Sequence, residues 1–392
     1  MLELLLLAQQ VEFSVPNPLA SCMQIGSSIS AYGDWDRDGH ADFLIAAPTS
    51  IFESKATVAI VSGRDGRGLL VLRGCEAGGY CWLGLGLDTS PDLDGDGRLE
   101  VVATFDKRWC AFSSKDGKRL VEFADSPVCL VDDVDDDGHC DWVARSGPNS
   151  EGARSLVIDS GKTGVRLRVF TDEQSTASEG ALLRRADGKN AVALLEDSTV
   201  WLRSAADGKL IKGRPFEIPG RRPQAHICAA GDLNGDGDGD LVVSLFDDTV
   251  NSAMGSEGWP PGSVLALSGR DLSTIREFTV EGKIARFGHS IDASADVDGD
   301  GVRDVLVTEY GDLFSTASRH AAFVLSGADG KVLRKHILDA SFGCRARFVG
   351  DADKDGVADY AVSDVYVRDQ TTTEPGSVSL FSGRTGDKLR AW

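Results

Sequence analysis

Apolar residues in this chain gather in short β-type runs, among them ATVAIV (56–61), LEVVATF (99–105), DLVVSLF (240–246) and DVLVTEY (304–310). Gly, Asp and Ser close these runs, and few stretches carry the three-to-four-residue spacing of an amphipathic helix. The pattern predicts an all-β chain.

Two landmarks recur between the runs. A nine-residue acidic segment, DxDxDGxx(D/E), begins at Asp34, Asp92, Asp133, Asp232, Asp296 and Asp351, and a degenerate copy, LRRADGKNA, begins at Leu183. The starts are spaced irregularly, but always near the size of one four-stranded blade. After each comes a turn: VSGRDG (61–66), FSSKDG (112–117), DSGKTG (159–164), RSAADG (203–208), LSGRDL (267–272), LSGADG (325–330) and FSGRTG (381–386). Each turn lies between two extended runs, as a hairpin does, and in six of the seven an Asp or Thr before Gly suits a tight reversal. Every unit therefore reads strand A, acidic loop, strand B, variable loop, strand C, SGxxG hairpin, strand D. One such sheet cannot bury both of its faces, whereas several packed radially can. Seven units predict a closed seven-bladed β-propeller of four antiparallel strands per blade, a single domain over residues 11–392. The last unit ends soon after its strand D begins, so Val11–Val15 is expected to help close the ring beside blade 7.

Composition narrows the partners. Lys and Arg number 41 against 61 Asp and Glu, for a formal net charge of −20. Phosphate backbones and anionic bilayers repel such a surface, which argues against nucleic acid and membrane as partners. Residues 1–10 (MLELLLLAQQ) are too short to span a bilayer. They read either as a truncated signal peptide, with Glu3 where a basic residue belongs, or as an ordinary N-terminal segment. No other stretch resembles a span, so the chain reads as soluble and as a monomer. The eight cysteines contain no CxxC pair. Cys75 and Cys81 bracket the loop CEAGGYC, where a local disulfide is plausible in an oxidising compartment, while Cys129 and Cys228 read as small core residues.

The acidic loops point to calcium. This ion takes six to eight hard oxygen ligands in a flexible shell. Carboxylates at loop positions 1, 3 and 5 converge as the backbone curls, glycine at position 6 permits the turn, position 7 offers its carbonyl, and an acid at 9 completes the set. The candidate ligands are Asp34, Asp36, Asp38, His40 and Asp42 in blade 1, and Asp92, Asp94, Asp96, Arg98 and Glu100 in blade 2. Blade 3 offers Asp133, Asp135, Asp137, His139 and Asp141, and blade 5 Asp232, Asn234, Asp236, Asp238 and Asp240. Blade 6 has Asp296, Asp298, Asp300, Val302 and Asp304, and blade 7 Asp351, Asp353, Asp355, Val357 and Asp359. At position 7 only the carbonyl is wanted, so the His40 and His139 rings are expected to face solvent. An EF-hand needs an acid at position 12 and flanking helices. Position 12 here is Ile45, Ala103, Ala144, Val243, Val307 or Val362, which excludes that reading. Solvated acidic turns without metal are the plain alternative, but six copies at one place in the repeat weigh against it. Blade 4 carries Leu183, Arg185, Asp187 and Ala191 at the ligand positions, so about six sites are expected and none in blade 4. Arg185 is placed to neutralise Asp187 there.

With Phe287-Gly288, Phe342-Gly343 and the weaker Ile25-Gly26 and Leu83-Gly84, the pattern resembles the FG-GAP repeats of the integrin α-subunit propeller, over essentially the whole chain. A "GAP" element is approximated once, by Ala46-Ala47-Pro48. The resemblance implies structural calcium at the A–B loops and ligand recognition on the opposite face. That face would be built from the B–C loops, which are long in blades 5, 6 and 7. Trp259, Tyr310, Phe314, Tyr366 and Arg368 are the candidate contacts for a protein or glycan ligand there. FG is missing from several blades and neither stalk domains nor a membrane anchor follow, so integrin ligand binding itself does not carry over.

No HExxH, GxSxG or phosphate loop is present, and a lone histidine such as His320 or His289 reads as structural. The leading expectation is a calcium-stabilised recognition or adhesion module, secreted, periplasmic or on a cell surface, and not an enzyme. Two alternatives stand beside it. One is a lectin or carbohydrate-active enzyme on the same scaffold. The other is a quinoprotein-type dehydrogenase, prompted by the similarity of SGRTGDKLRAW to the turn and terminal Trp of those propellers.

Overall fold

In a computed structural model the residues described are 10–15, 18–19, 22, 24–48, 56–74, 83–105, 108–148, 154–171, 175–177, 179–217, 223–247, 262–281, 286–309, 320–338, 344–365, 367–368, 373–374 and 376–392. Among them there is no helix. Seven antiparallel sheets follow one another along the chain, each built on four strands in A-B-C-D order. This is the seven-bladed β-propeller class that the two landmarks predict.

Strands β1 (Gln10–Val15), β2 (Ser28–Gly33), β3 (Asp42–Ala47), β4 (Thr57–Val61) and β5 (Gly68–Arg73) form blade 1, and β6 (Leu83–Ser90), β7 (Glu100–Phe105), β8 (Arg108–Phe112) and β9 (Arg119–Glu122) form blade 2. Blade 3 is β10 (Ser126–Val131), β11 (Asp141–Arg145), β12 (Leu156–Asp159) and β13 (Arg166–Thr171). Blade 4 is β14 (Glu179–Leu183), β15 (Ala191–Glu196), β16 (Thr199–Ser204) and β17 (Leu210–Pro215). Blade 5 is β18 (Pro223–Gly231), β19 (Asp240–Asp247), β20 (Ser263–Leu267) and β21 (Thr274–Phe278), and blade 6 is β22 (Ser290–Ala295), β23 (Asp304–Glu309), β24 (His320–Leu325) and β25 (Val332–Leu338). Blade 7 is β26 (Ala346–Gly350), β27 (Asp359–Asp364), β30 (Ser377–Phe381) and β31 (Lys388–Ala391). Its B–C connection carries a small ribbon of β28 (Val367–Arg368) and β29 (Thr373–Glu374).

The chain divides into two compact units. Residues 1–122 and 339–392 hold blades 1, 2 and 7, and residues 123–338 hold blades 3 to 6. Inside each unit the B and C strands are buried on both faces, which is why they read as continuous apolar runs instead of alternating ones. All six residues of β3 and all six of β24 are buried. Outer D strands are wetter: four of the six residues of β13 are exposed.

β5 departs from that rule, and the departure explains a correction. Val11–Val15 adds no strand to blade 7, although Val15 packs against the core that blades 1 and 7 share. It belongs to β1, which pairs antiparallel with β5 (Val11 opposite Leu72, Val15 opposite Gly68) as a fifth strand of blade 1. The sequence of β5, GLLVLR, is apolar along its length and buried at five of six positions. A strand of that composition would be a hazard if left as an open edge, and β1 covers it.

Two close approaches account for the FG and SGxxG landmarks. Gly288 has φ +97°, and a Cβ on it would lie 2.5 Å from Ser244 Cβ in blade 5; Gly84, at φ +82°, would lie 2.6 Å from Val58 Cγ2 in blade 1. The FG glycine is thus where strand A of one blade seats on the blade before it, with Phe287 buried edge-on to Phe323 at 6.0 Å. The glycine of SGxxG is set by the acidic loop, as described next. A further device links neighbours inside each unit. Arg168 donates to Ala206 O at 2.6 Å, Arg214 to Leu272 O at 2.6 Å and Arg390 to Arg64 O at 2.5 Å. Arg276 donates likewise to Ala328 O. Each time a strand-D guanidinium reaches a carbonyl in the SGxxG turn of another blade.

Candidate metal centre

In an antiparallel four-stranded blade, the A–B loop and the C–D turn share one end of the sheet and the B–C loop takes the other. The acidic segments occupy the A–B loops of blades 1, 2, 3, 5, 6 and 7. Each is organised by its own backbone. The position 1 carboxylate accepts from the amide of the position 6 glycine at 2.7–2.9 Å in all six (for example Gly39 to Asp34 and Gly356 to Asp351). The position 5 carboxylate accepts from the position 7 amide at 2.8–2.9 Å. The six position 6 glycines have φ between +81° and +90°, the turn expected of them. Position 4 is left-handed too, at Arg37, Gly95, Asp136, Gly235, Gly299 and Lys354. Three of these being glycine was the legible sign of it.

These bonds turn the remaining carboxylate oxygens toward one point. Ligand atoms of Asp92, Asp94 and Asp96 lie within 4.8 Å of one another, as do those of Asp296, Asp298 and Asp300, and of Asp351, Asp353 and Asp355. In blades 1 and 3 the converging trios are Asp34, Asp36 and Asp42, and Asp133, Asp135 and Asp141. Blade 5 has one carboxylate fewer, with Asn234 at position 3; its carbonyl accepts from the Asp236 amide at 2.8 Å, as the position 3 acids of blades 1, 2, 6 and 7 do in their loops, and its amide donates to Asp236 at 3.2 Å. Crowding leaves a trace in blade 6: burial first, then Asp300, Asp296 and Asp329 hold the Asp298 carboxyl above its ordinary range. Asp96 Oδ2 in blade 2 is buried with no hydrogen-bond partner. An orphaned anionic oxygen beside two further carboxylates is what a hard dication would satisfy, so the residues present fit such an ion.

The position 9 acid has a second task that sequence reading missed. Asp42 accepts from the Trp35 amide at 2.7 Å with one oxygen and from the Gly63 amide at 3.1 Å with the other. Trp35 is loop position 2, and Gly63 is the glycine of that blade's SGxxG turn. Asp141, Asp240, Asp304 and Asp359 repeat both bonds, to Gly161, Gly269, Gly327 and Gly383. All are fully buried. Burial pushes the Asp42 carboxyl up to about 7, against the two amides that favour its ionised form and reinforced by Asp36 and Asp38. This staple also dictates the turn glycine. A Cβ on Gly63 would lie 2.0 Å from Ala41 O, and one on Gly327 1.9 Å from Arg303 O. Blade 2 carries Ser114 at that place, and there the acid is the longer Glu100, bonded to Ser114 N at 3.0 Å and Leu93 N at 3.3 Å. Blade 4 has neither partner: Ala191 replaces the acid, and the Ala205 amide donates to Asn190 O.

Other expectations change. His40 does not present its ring to solvent; its Nδ1 lies 2.6 Å from Ala352 O, in the blade 7 loop. Position 7 side chains reach a neighbouring loop in blade 2 as well, where Arg98 donates to Trp35 O at 2.5 Å and stacks 4.4 Å over that ring. Arg185 in blade 4 donates to Gly269 O at 2.7 Å, in blade 5. Position 12 residues lie on strand B, buried, in all six loops, consistent with the rejection of an EF-hand. Cys129 is buried and Cys228 half-buried, each packed on a blade core. Trp392 packs edge-on to Phe43 at 5.3 Å and donates its Nε1 proton to Gly66 O at 2.7 Å, a packing role. Trp259, Tyr310, Phe314 and Tyr366, Phe342-Gly343, and Cys75 and Cys81 lie outside the described residues. Of Arg368 only the backbone, in β28, is described.

The chain is thus a seven-bladed propeller with acidic A–B loops. No family profile matches it. Integrin alpha-V of Gallus gallus is 29% identical over 180 residues, covering 41% of this chain and 15% of that protein, so the likeness spans only a small part of the relative's length. Among solved structures, BBS1N in complex with ARL6DN is similar at 11% identity and TM-score 0.46 over 78% of this chain and 79% of that one. A protein of unknown function from Bacteroides caccae is similar at 12% identity and TM-score 0.42, over 77% and 96%. Among the described residues, no helix is long and apolar enough to cross a membrane.

Proposed function

We propose that the protein is a calcium-stabilised recognition or adhesion module of the FG-GAP type, working outside the cytoplasm. The observation that carries this reading is the convergence of three carboxylates in each of five A–B loops, with a buried oxygen left unpartnered in one of them. Partial similarity to an integrin alpha subunit supports it. Positions 1, 3, 5 and 9 would hold the ion by their side chains, and position 7 by its carbonyl. Calcium would supply charge neutralisation at the junction of loop and C–D turn, moving the formal net charge from −20 to about −8 if six sites fill. It would therefore clamp the sheet ends, leaving the B–C side of the blades for a protein or glycan.

Thermal unfolding after EDTA treatment, with calcium titrated back and bound metal counted by elemental analysis, tests the proposal. A ligand of the native state raises the melting temperature by mass action. For a chain of this size the rise is roughly 3 °C per site at a hundredfold excess over Kd. An unchanged melting temperature with no bound calcium would refute it.

A further inference from the structure

Three of the acidic loops already contain a cation supplied by the chain. In blade 1 Arg64 Nη1 lies 3.5 Å from Asp38 Oδ2. In blade 7 Arg384 Nε lies 3.2 Å from Asp355 Oδ2, and the same guanidinium donates to Asp355 O at 2.6 Å. In blade 5 Arg270 Nη2 lies 3.8 Å from Asp236 Oδ1 and donates to Asp236 O at 3.3 Å, while its Nε bonds Asp238 at 3.0 Å. Asp38, Asp236 and Asp355 are all loop position 5. Arg64, Arg270 and Arg384 all directly follow the glycine of SGxxG, the residue that the position 9 acid holds against the loop. One staple therefore delivers the guanidinium to one carboxylate three times over.

The other three loops lack it. Lys115, Lys162 and Ala328 stand at the equivalent turn position. Among the described residues, no acid at a ligand position of the blade 3 or blade 6 loop forms an ion pair with Lys, Arg or His; in blade 3 Arg184 pairs instead with Asp132, just before the ligand set, at 2.6 Å. In blade 6 a further acid, Asp329, adds to the negative field. Blade 1 is the most compensated, since Arg67 also pairs with Asp36 at 3.2 Å and Lys354 donates to Asp38 O.

We propose that Arg64, Arg270 and Arg384 are built-in counter-cations that divide the six loops into two affinity classes, tight in blades 2, 3 and 6 and weaker, exchangeable in blades 1, 5 and 7. This rests on the calcium reading of the loops. A guanidinium on a ligand carboxylate must be displaced, or must repel the dication at short range, before the ion can bind. When the ion leaves, the arginine takes over its charge, so these loops lose less on emptying than the loops without a turn arginine do. Partial screening of the exposed arginines limits the effect to about tenfold in Kd per site.

The test is calorimetric titration of calcium into the EDTA-stripped, dialysed full chain, with native mass spectrometry counting bound ions. Two classes of about three sites each are expected. Arg64→Gln, Arg270→Gln and Arg384→Gln together should raise the weak class about tenfold in affinity and merge the two. Ala328→Arg should do the reverse, moving one ion from the tight class to the weak one. Circular dichroism confirms that each variant is folded, and Ala328→Arg serves if the triple variant is not. A single class in the native chain, or unchanged classes in both variants, would overturn the proposal while leaving calcium binding intact. Binding of no ion at all would overturn the calcium reading and this inference together.

Discussion

Glu100 and Ser114 should behave as one unit. Glu100→Asp shortens the position 9 acid by one methylene in the only metal-type loop whose turn carries a side chain at the glycine position. The lost reach opens the 3.0 Å bond to the Ser114 amide and the 3.3 Å bond to the Leu93 amide. Both amides lie at a fully buried carboxyl, so water cannot readily replace it. One buried and one half-buried donor left short of a partner cost about 2–3 kcal/mol. Ser114→Gly alone should cost about 1 kcal/mol, from backbone freedom and from the 2.7 Å contact between Ser114 Oγ and Tyr32 Oη, which keeps its bond to Leu99 O. Combining the two recreates the Asp–Gly pair of the other five loops, where the turn closes to within a Cβ's distance of the strand carbonyl. The double variant should recover at least about 1 kcal/mol of the Glu100→Asp loss. Urea unfolding in saturating calcium and again in EDTA gives the four corners of the cycle. Strict additivity in both conditions would refute the matched-length reasoning.

Gly327→Ala places a methyl carbon 1.9 Å from Arg303 O and should destabilise by about 2–3 kcal/mol, read as a lower urea midpoint at unchanged slope. Asp300→Ala should lower the calcium stoichiometry by one, whereas Asp187→Ala, in the blade 4 loop, should leave it unchanged; elemental analysis decides both. His320 is 1% exposed, and burial, with a contribution from the Arg286 charge, pulls its imidazole down to about 4. The folded state thus binds this proton less readily than the unfolded chain does. Its contribution is complete above pH 6.5 and is lost as pH falls from there toward 4, amounting to about 3 kcal/mol at the lower end. His320→Gln should flatten that part of the stability profile, and an unchanged profile would show that the ring does not titrate this way.

The blade count and strand order were legible because the acidic loop and the SGxxG turn repeat in fixed order, and each marks one end of a strand. What joins those two landmarks was not. Asp42 and Gly63, or Asp240 and Gly269, are separated by variable B–C loops, so no constant spacing announces that one residue bonds the other. Only the register of strands B and C brings them together. The covering of β5 by β1 could have been read from its unbroken apolar run, since exposed D strands such as β13 carry arginines between their apolar residues. His40 is different in kind. Its partner lies 312 residues away in sequence, in another blade's loop, and nothing local to the histidine foretells it. The counter-cations did have a local sign, the arginine that follows SG in three turns, but it gains meaning only when the turn is seen to rest on the acidic loop.

The strand-D arginines that reach a neighbouring turn each donate to a main-chain carbonyl within it, and Arg214 donates as well to the Thr274 hydroxyl just beyond. A carbonyl is supplied by every residue type, so the receiving position imposes no demand on its own side chain. That is visible in the recipients, which are Arg64, Ala206, Leu272 and Ala328. The fastening between repeats and the chemistry displayed on the turn are therefore free to vary independently. A repeat can drift toward or away from a basic turn without loosening its neighbour, which is how one architecture can carry loops of unlike character side by side.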